Sequence, residues 1–187
     1  MSEAYEPRKH YTYADYLTWE EDYRAEIIDG ELYMMTTPSF VHQSISGDLF
    51  YQFKTFLKGK PCKIIAAPFA VRLFAEKGDD TVVEPDLMVL CDNSKIGTNS
   101  YNGAPTLVVE ILSPSTASKD RVKKMRKYIQ AGVQEYWLLD PDEKTIMAGV
   151  LKDGQYAFST YDDTDGTVPV TTLPGCTIDM TELFPAA

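Results

Sequence analysis

The chain is poor in the residues that build zinc sites and disulfide frameworks. Its 187 residues include two histidines and three cysteines. Cys62, Cys91 and Cys176 are far apart and odd in number, and they show neither the spacing of zinc ligands nor that of a disulfide framework. We therefore expect three plain buried thiols in a reducing, cytoplasmic environment.

Long apolar runs and the common nucleotide or hydrolase motifs are missing as well. No run approaches the ~20 apolar residues that a membrane-spanning helix needs, and the polar, acidic residues 1–6 predict no secretory signal. The sequence contains no glycine-rich phosphate loop, G-x-S-x-G, H-E-x-x-H or C-x-x-C pattern. These absences predict a protein without membrane association and give no support to the enzyme classes that those motifs mark.

What is present is an ordinary globular composition with an acidic balance. The length of 187 residues predicts one domain over residues 1–187, and a hydrophobic content of 44% is ordinary for a globular protein. A formal net charge of −10 argues against broad, non-specific binding of nucleic acid. Six of the 18 cationic side chains nevertheless lie between residues 119 and 127, where Asp120 is the one acid. This cluster fits either a solvated helix face or a contact with a polyanion.

Hydrophobic periodicity predicts an α/β fold with α+β character. We expect helices over residues 12–21, 40–58 and 115–130, with a tight hairpin turn at Asp29-Gly30. Nearly continuous apolar strands are expected over residues 81–91 and 107–112, separated by a loop over residues 92–105. The strand–helix–strand segment over residues 107–139 predicts a parallel crossover in a mixed sheet flanked by helices, followed by a hairpin extension over about residues 144–187.

Two carboxylates interrupt the apolar strands. Asp86 follows Pro85 within one predicted strand, and Glu110 lies near the end of the next. A charge in a buried strand costs several kcal/mol unless it is paired or binds a metal. Two such acids near the ends of neighbouring strands can converge on one ion, and oxygen ligands suit Mg²⁺ or Mn²⁺. The alternative is that each acid pairs with an arginine or lysine elsewhere in the fold.

Lys124 stands apart from the other cations on a helical wheel over residues 120–131. Val122, Met125 and Ile129 form the predicted core stripe, and Lys124 lies on its flank. A lysine there can lay its aliphatic stem on the sheet and deliver its ammonium to a polar pocket. It can also form an ordinary i,i+4 pair with Asp120.

Glu26 and His42 are further polar candidates. Glu26 lies in the first predicted hairpin, where strand alternation allows it to face solvent while Ala25 and Ile27 share the other face. His42 stands with Gln43 at the start of the long predicted helix, which is typical of an exposed first-turn residue. Spacing alone therefore assigns neither residue to a site.

Several stretches match a known pattern in one order along residues 11–183. They are EIIDGEL (26–32), HQSIS (42–46), APFAVRL (67–73), EPDL (84–87), VEILSPS (109–115), Asp120 with Lys124 and Tyr128, and AGVQEYW (131–137). On these stretches the chain resembles the Uma family of restriction-endonuclease-like proteins, a family of unknown function within the PD-(D/E)XK nuclease superfamily.

The resemblance implies a restriction-endonuclease-like core. Pro85-Asp86 takes the place of the superfamily's PD, and Glu110 takes the place of the acid in (D/E)XK. The lysine expected two residues after Glu110 is absent, because that position is Leu112. The resemblance places the lysine on the next helix, at Lys124, in agreement with the helical wheel.

The resemblance also implies a metal-dependent endonuclease that hydrolyses phosphodiester bonds of DNA. Mg²⁺ or Mn²⁺ would be held by Asp86, Glu110 and the Ile111 carbonyl with help from Glu26, and Lys124 would act on the attacking water or the transition state. Further expected roles are support by His42, Asp120 and Tyr128, and contact with the DNA backbone by Arg121, Lys123 and Arg126.

Two alternatives and the oligomeric state stay open at this point. The fold could serve as a non-catalytic DNA-binding or protein-interaction module, which the acidic charge and the missing X-K lysine favour. The substrate could also be RNA or branched DNA. Cutting both strands of a duplex is easier for a two-fold dimer, and the predicted hairpin over residues 145–161 could supply a homodimer interface.

Overall fold

A computed structural model of the chain describes residues 9–20, 23–113 and 119–184. Within these residues the strands form two larger mixed sheets and one small antiparallel pair, with few helices. The α/β class with α+β character is therefore confirmed. No helix in the described part is both long and apolar enough to cross a membrane.

The first sheet has five strands and includes the N-terminal hairpin. Its strands, in spatial order, are β2 (Glu31–Met34), β1 (Ala25–Ile28), β5 (Val82–Val83), β4 (Ala70–Arg72) and β7 (Ser100–Asn102). The hairpin turns at Asp29-Gly30 as expected, because both residues have positive φ, the combination that a two-residue turn with the twist of its strands requires.

The second sheet has six strands and carries most of the core. Its spatial order is β11 (Gln155–Asp162), β10 (Thr145–Lys152), β9 (Glu135–Asp140), β8 (Leu107–Ile111), β6 (Leu87–Leu90) and β3 (Lys63–Ala66). Strands β8 and β9 are parallel, so the predicted crossover is confirmed. The predicted C-terminal hairpin is β10–β11, and it extends this sheet because β10 also pairs with β9.

Helices and a small sheet cover these strands. The helices are α1 (Tyr13–Tyr16), α2 (Phe40–Phe56), a π-helix (Lys119–Lys124), α3 (Met125–Ala131) and 3₁₀ turns at Asn93–Lys95 and Met180–Glu182. β12 (Thr167–Pro169) pairs with β13 (Thr177–Asp179). The apolar stripe of α2 buries Ile45, Leu49 and Phe53 in the core cluster of the second sheet, at the spacing that predicted this helix.

The strand expected over residues 81–91 is in fact two strands in different sheets. β5 belongs to the first sheet and β6 to the second, and the chain crosses between them at Glu84-Pro85-Asp86. Pro85 has no N–H to donate to a ladder, which suits a break between strands. Because both halves are fully buried, the apolar pattern is continuous and hides the crossing. The crossing leaves Asp86 at the junction of the two sheets.

The helix predicted over residues 115–130 also differs. Residues 114–118 lie outside the described part, and the next six residues form a π-helix that leads into α3. The wheel was wrong about Val122, which is 43% exposed, whereas Asp120, Lys124 and Tyr128 are buried. A π-helix bonds each residue to the fifth along the chain, so an α-helical wheel misplaces its faces.

Two shorter predictions need correction. The N-terminal helix expected over residues 12–21 is α1, which is four residues long and ends at Tyr16. The Tyr16 ring packs between those of Tyr13 and Trp19. Residue 21 lies outside the described part. The loop expected over residues 92–105 contains a 3₁₀ turn and β7, which pairs in parallel with β4. Strand β7 is three residues long, which is too short to show the alternation of apolar and polar residues that predicts a strand.

The expectation of three free thiols is wrong for Cys62 and Cys91, which form a disulfide. β3 and β6 pair so that Lys63 faces Leu90, and the next step of the antiparallel ladder brings the two cysteines together, with 4.1 Å between their Cα atoms. The 29 residues between them conceal this proximity in the sequence. Cys176 is a free, buried thiol as expected.

Candidate active site

Several charged side chains line one cleft with a volume of about 440 Å³, and four of the predicted site residues among them come from four parts of the chain. Glu26 comes from β1, Asp86 from the β5–β6 crossing, Glu110 from β8 and Lys124 from the π-helix. β6 and β8 are antiparallel with Leu87 opposite Val109, so the next step of the ladder sets Asp86 opposite Glu110. Residues opposite each other in such a ladder project to the same face.

Lys124 is the centre of an ion cluster. Its Nζ lies 2.6 Å from Glu110 Oε1, 2.8 Å from Glu26 Oε1 and 3.7 Å from Asp120 Oδ1, and its side chain is 3% exposed. Burial lowers the pKa of Lys124. The charges of Glu110, Glu26 and Asp120 together raise it by more than burial lowers it, so the pKa lies well above its usual 10.5. The lysine is therefore a fixed ammonium in the cleft.

Glu110 is the acid most strongly affected by its surroundings. Burial raises its pKa well above the usual value, Lys124 lowers it, and the neighbouring acids Asp120, Asp86 and Glu26 raise it again. The Tyr128 hydroxyl donates to Oε1 of Glu110 at 2.6 Å. Lys124 and Tyr128 thus orient this carboxylate from the same helical segment, which explains why both are buried.

Asp86 has different partners. Its Oδ2 accepts from the Ile111 backbone N–H at 2.7 Å and lies 3.2 Å from His42 Nε2. Burial lowers the pKa of His42, whereas Asp86 and the Ile111 backbone raise it, and the net direction is upward. His42, expected as an exposed first-turn residue, is instead 14% exposed and lines the cleft.

The donor types at this cleft fit a hard divalent cation. Asp86, Glu110 and Ile111 all line it and offer carboxylate and carbonyl oxygens. Among the contacts of the described residues, Tyr128 and Lys124 hold Glu110 through Oε1 and the Ile111 N–H holds Asp86 through Oδ2, so both carboxylates keep lone pairs for an ion. No three histidine, cysteine, aspartate or glutamate side chains in that part of the chain are already arranged around a common ion position.

The predicted basic face is largely paired with acids of the same molecule. Arg121 contacts Asp140 at 2.9 Å, Lys123 lies 3.7 Å from Glu31, and Lys127 contacts Asp29. Arg126 is exposed. None of the three DNA-contact candidates Arg121, Lys123 and Arg126 lines the cleft. The structure therefore places these residues outside the acid–lysine cluster, on the solvent side of the helix.

Sequence reasoning missed Glu84, a further acid that lines the cleft. Glu84 is buried, accepts a hydrogen bond from the Tyr16 hydroxyl at 2.7 Å, and pairs with Arg24 at 3.2 Å. Its backbone N–H donates to Glu26 Oε1 at 3.0 Å. Glu84 lies in the same apolar run as Asp86, two residues earlier, which is the signal that could have identified it.

Comparison with known proteins agrees with this architecture. Residues 13–181 match a family described as "Uma2: Putative restriction endonuclease". An uncharacterised protein of Synechocystis sp. (strain ATCC 27184 / PCC 6803 / Kazusa) is 34% identical over 155 residues, which cover 81% of this chain and 80% of that protein. A solved structure titled as a putative nuclease of DUF820 from Anabaena variabilis ATCC 29413 has the same fold, with a TM-score of 0.76 at 22% identity over 93% of this chain and 97% of that one.

Proposed function

This chain belongs to the Uma2 family of restriction-endonuclease-like proteins, and we propose that it is a metal-dependent endonuclease that hydrolyses phosphodiester bonds of DNA. The observation that carries the proposal is the position of Lys124, whose Nζ lies within 2.8 Å of both Glu26 and Glu110 in the cleft that Asp86 also lines. Two acids and a lysine in one cleft are the parts that hydrolysis of a phosphodiester needs.

The proposed ligands for Mg²⁺ or Mn²⁺ are Asp86, Glu110 and the Ile111 carbonyl, with Glu26 in support. Such an ion, when bound, lowers the pKa of a coordinated water and offsets negative charge on the phosphate. The Ile111 N–H holds Asp86 in place, and Tyr128 and Lys124 hold Glu110. These contacts fix both carboxylates before a substrate arrives, so little reorganisation remains at the time of reaction.

Lys124 supplies positive charge at the reacting phosphate in this proposal. Because its pKa is raised, the ammonium is present throughout the neutral range and acts by orienting the attacking water or by stabilising charge on the phosphate oxygens. Glu26 and Asp120 hold the ammonium in position. A lysine supplied by the helix after β8 thus takes the role that the missing lysine at position 112 would have.

DNA would reach the cleft from the side where Arg24 is 40% exposed. Arg126 is exposed and would contact flanking phosphates, whereas Arg121 and Lys123 would exchange Asp140 and Glu31 for them. A homodimer formed through the β10–β11 hairpin would bring two clefts to one duplex.

The test is cleavage of supercoiled plasmid DNA by the purified chain with Mg²⁺ or Mn²⁺. We expect Asp86→Ala, Glu110→Ala and Lys124→Ala each to abolish cutting, and chelation of the metal to do the same. Lys58→Ala, which alters an exposed lysine after the end of α2 and outside the cleft, is the matched control and should cut like the parent. If all three cleft variants cut like the parent, the proposal fails. Rates of cleavage of branched DNA and of RNA, measured in the same assay and compared with the rate on plasmid DNA, identify the substrate class.

A non-catalytic interaction module is the second candidate. It is favoured by the intramolecular pairing of the basic face and by the hydrogen bonds that protein donors already make to Asp86 and Glu110. Calorimetric titration with Mn²⁺ separates the two functions. The endonuclease should bind Mn²⁺ and lose that binding in Asp86→Ala, whereas an interaction module needs no metal at this cleft.

A further inference from the structure

His42 is held in the cleft by the start of α2. Ser39 caps this helix, and its hydroxyl oxygen accepts a hydrogen bond from the His42 backbone N–H at 3.2 Å. This cap fixes the first turn, and the imidazole lies largely buried against Asp86. The imidazole is therefore held from two sides, by the capped first turn of α2 and by the Asp86 carboxylate.

The imidazole has one nitrogen in use and one without a partner. Nε2 lies 3.2 Å from Asp86 Oδ2, whereas Nδ1 is buried and has no hydrogen-bond partner among the described residues. Nε2 is therefore the ring nitrogen that faces the carboxylate, and a metal ligand shared with Asp86 would have to be Nε2.

The distance between the ring and Asp86 also fits metal coordination. Two ligand atoms, each about 2.1–2.2 Å from one ion and at right angles to each other, lie roughly 3 Å apart. The observed 3.2 Å between His42 Nε2 and Asp86 Oδ2 is close to that separation. The Lys124 ammonium contacts Glu26 and Glu110. Among the described residues, His42 is the residue whose side-chain nitrogen lies next to the Asp86 carboxylate.

We propose that His42 is a ligand of the metal, so that the ion is held by an imidazole nitrogen together with the Asp86 carboxylate. The inference rests on the proposed function and refines it, since the oxygen-only site expected from the sequence becomes a mixed nitrogen–oxygen site. Imidazole favours first-row transition ions over Mg²⁺. The site therefore prefers Mn²⁺ or Co²⁺ to Mg²⁺.

Pulsed electron paramagnetic resonance of the Mn²⁺-loaded protein without DNA tests this ligand directly. The parent should show coupling of Mn²⁺ to a ¹⁴N nucleus, and His42→Ala and His42→Gln should lose it. In calorimetry both variants should bind Mn²⁺ about tenfold more weakly or worse, with a smaller change for Mg²⁺. His10→Ala, which alters the chain's other histidine at an exposed position, should match the parent in both measurements.

Three outcomes overturn the inference: Mn²⁺ bound to the parent without nitrogen coupling, coupling that persists in His42→Ala, or a folded parent that binds no Mn²⁺. Circular dichroism shows whether each variant is folded, and His42→Gln keeps a side chain of similar length if His42→Ala is not. Because no DNA is present, nitrogen coupling would stand even if the protein cut no DNA. Cutting without nitrogen coupling would retain the proposed function and reject the histidine ligand.

Discussion

At the scale of single residues, the buried ammonium of Lys124 decides how the cleft is charged. Three acids, Glu26, Glu110 and Asp120, surround it, and each of the four side chains is almost completely removed from water. Buried charges of one sign are tolerated when an opposite charge and hydrogen bonds accompany them. The lysine is therefore needed for the stability of the cleft as well as for the chemistry proposed there.

Replacement of this lysine should destabilise the protein through the acids that it leaves behind. We expect Lys124→Met to lower the free energy of unfolding at pH 7 by about 3–5 kcal/mol, because a broken buried ion pair leaves uncompensated charge. The measurement is urea unfolding followed by circular dichroism. Lys127→Met, which removes a less buried lysine from the adjoining α3, is the control and should cost less.

A double substitution separates charge from packing. Lys124→Met combined with Glu110→Gln removes one buried negative charge, so its loss of stability should be smaller than the sum of the two single losses. Equal stabilities for the parent and Lys124→Met would contradict the electrostatic explanation.

The sequence alone picked out Asp86, Glu110 and Lys124 as cleft residues, but it did not predict that Glu26 and His42 are buried beside them. Asp86 and Glu110 stand out because an acid in an apolar strand demands a partner, and Lys124 stands out because the lysine expected after Glu110 is missing. Glu26 and His42 could not be placed by spacing, since alternation and helix position both allow them to face water. Their burial arises from the second sheet and the β5–β6 crossing, contacts that are remote in sequence.

At the scale of elements, the disulfide between Cys62 and Cys91 joins the ends of β3 and β6. The sequence could predict each strand but not their pairing, because nothing local in either strand specifies its neighbour. The same reason explains why β5 and β6 were expected as one strand. Hairpins such as β1–β2 and β10–β11 were predictable because their turns carry the residues that adopt positive φ.

Counting thiols tests the element pairing. In denaturant without reductant, we expect one reactive thiol per chain, that of Cys176, and three after reduction. In the native state we expect no rapid reaction, because burial raises the pKa of Cys176 to about 11. The measurement is a colorimetric thiol assay on protein purified in air.

Cys91→Ser is the control for that count. It should raise the number of thiols in denaturant without reductant from one to two, because Cys62 loses its partner. Three thiols in the unreduced parent would mean that β3 and β6 are not linked.

At the scale of the whole molecule, burial of titratable groups sets the alkaline limit of stability. The pKa values of Tyr128 and Tyr136 are raised well above 10.0, mainly by burial and then by the charge of Glu110, and that of Lys124 is raised well above 10.5 by its acids despite burial. In the unfolded chain these groups lose their protons near their usual values. The folded state therefore holds more protons than the unfolded state above about pH 10.

Stability should consequently fall as the pH rises above 10. Each of these three groups contributes a slope of about 1.4 kcal/mol per pH unit once its unfolded form has ionised, or roughly 4 kcal/mol per unit for the three. The raised pKa values of Tyr16, Tyr101, Tyr156 and Cys176 add to the fall in the same direction. Urea unfolding at intervals between pH 9 and 11.5 measures this slope. Tyr128→Phe removes one titrating group and should make the slope shallower by about 1.4 kcal/mol per unit. An unchanged slope in that variant would show that Tyr128 ionises equally in both states.

The β5–β6 crossing has a consequence for synthesis of the protein. Glu26 arrives on one sheet, Glu110 on the other, and Asp86 between them, while the ammonium that unites them follows later in the chain. A ribosome-bound fragment that ends before residue 124 carries Glu26, Asp86, Glu110 and Asp120 but not the lysine that joins the two halves. On the function proposed here, a nascent chain therefore cannot cleave DNA until Lys124 has been synthesised and has paired with Glu26 and Glu110.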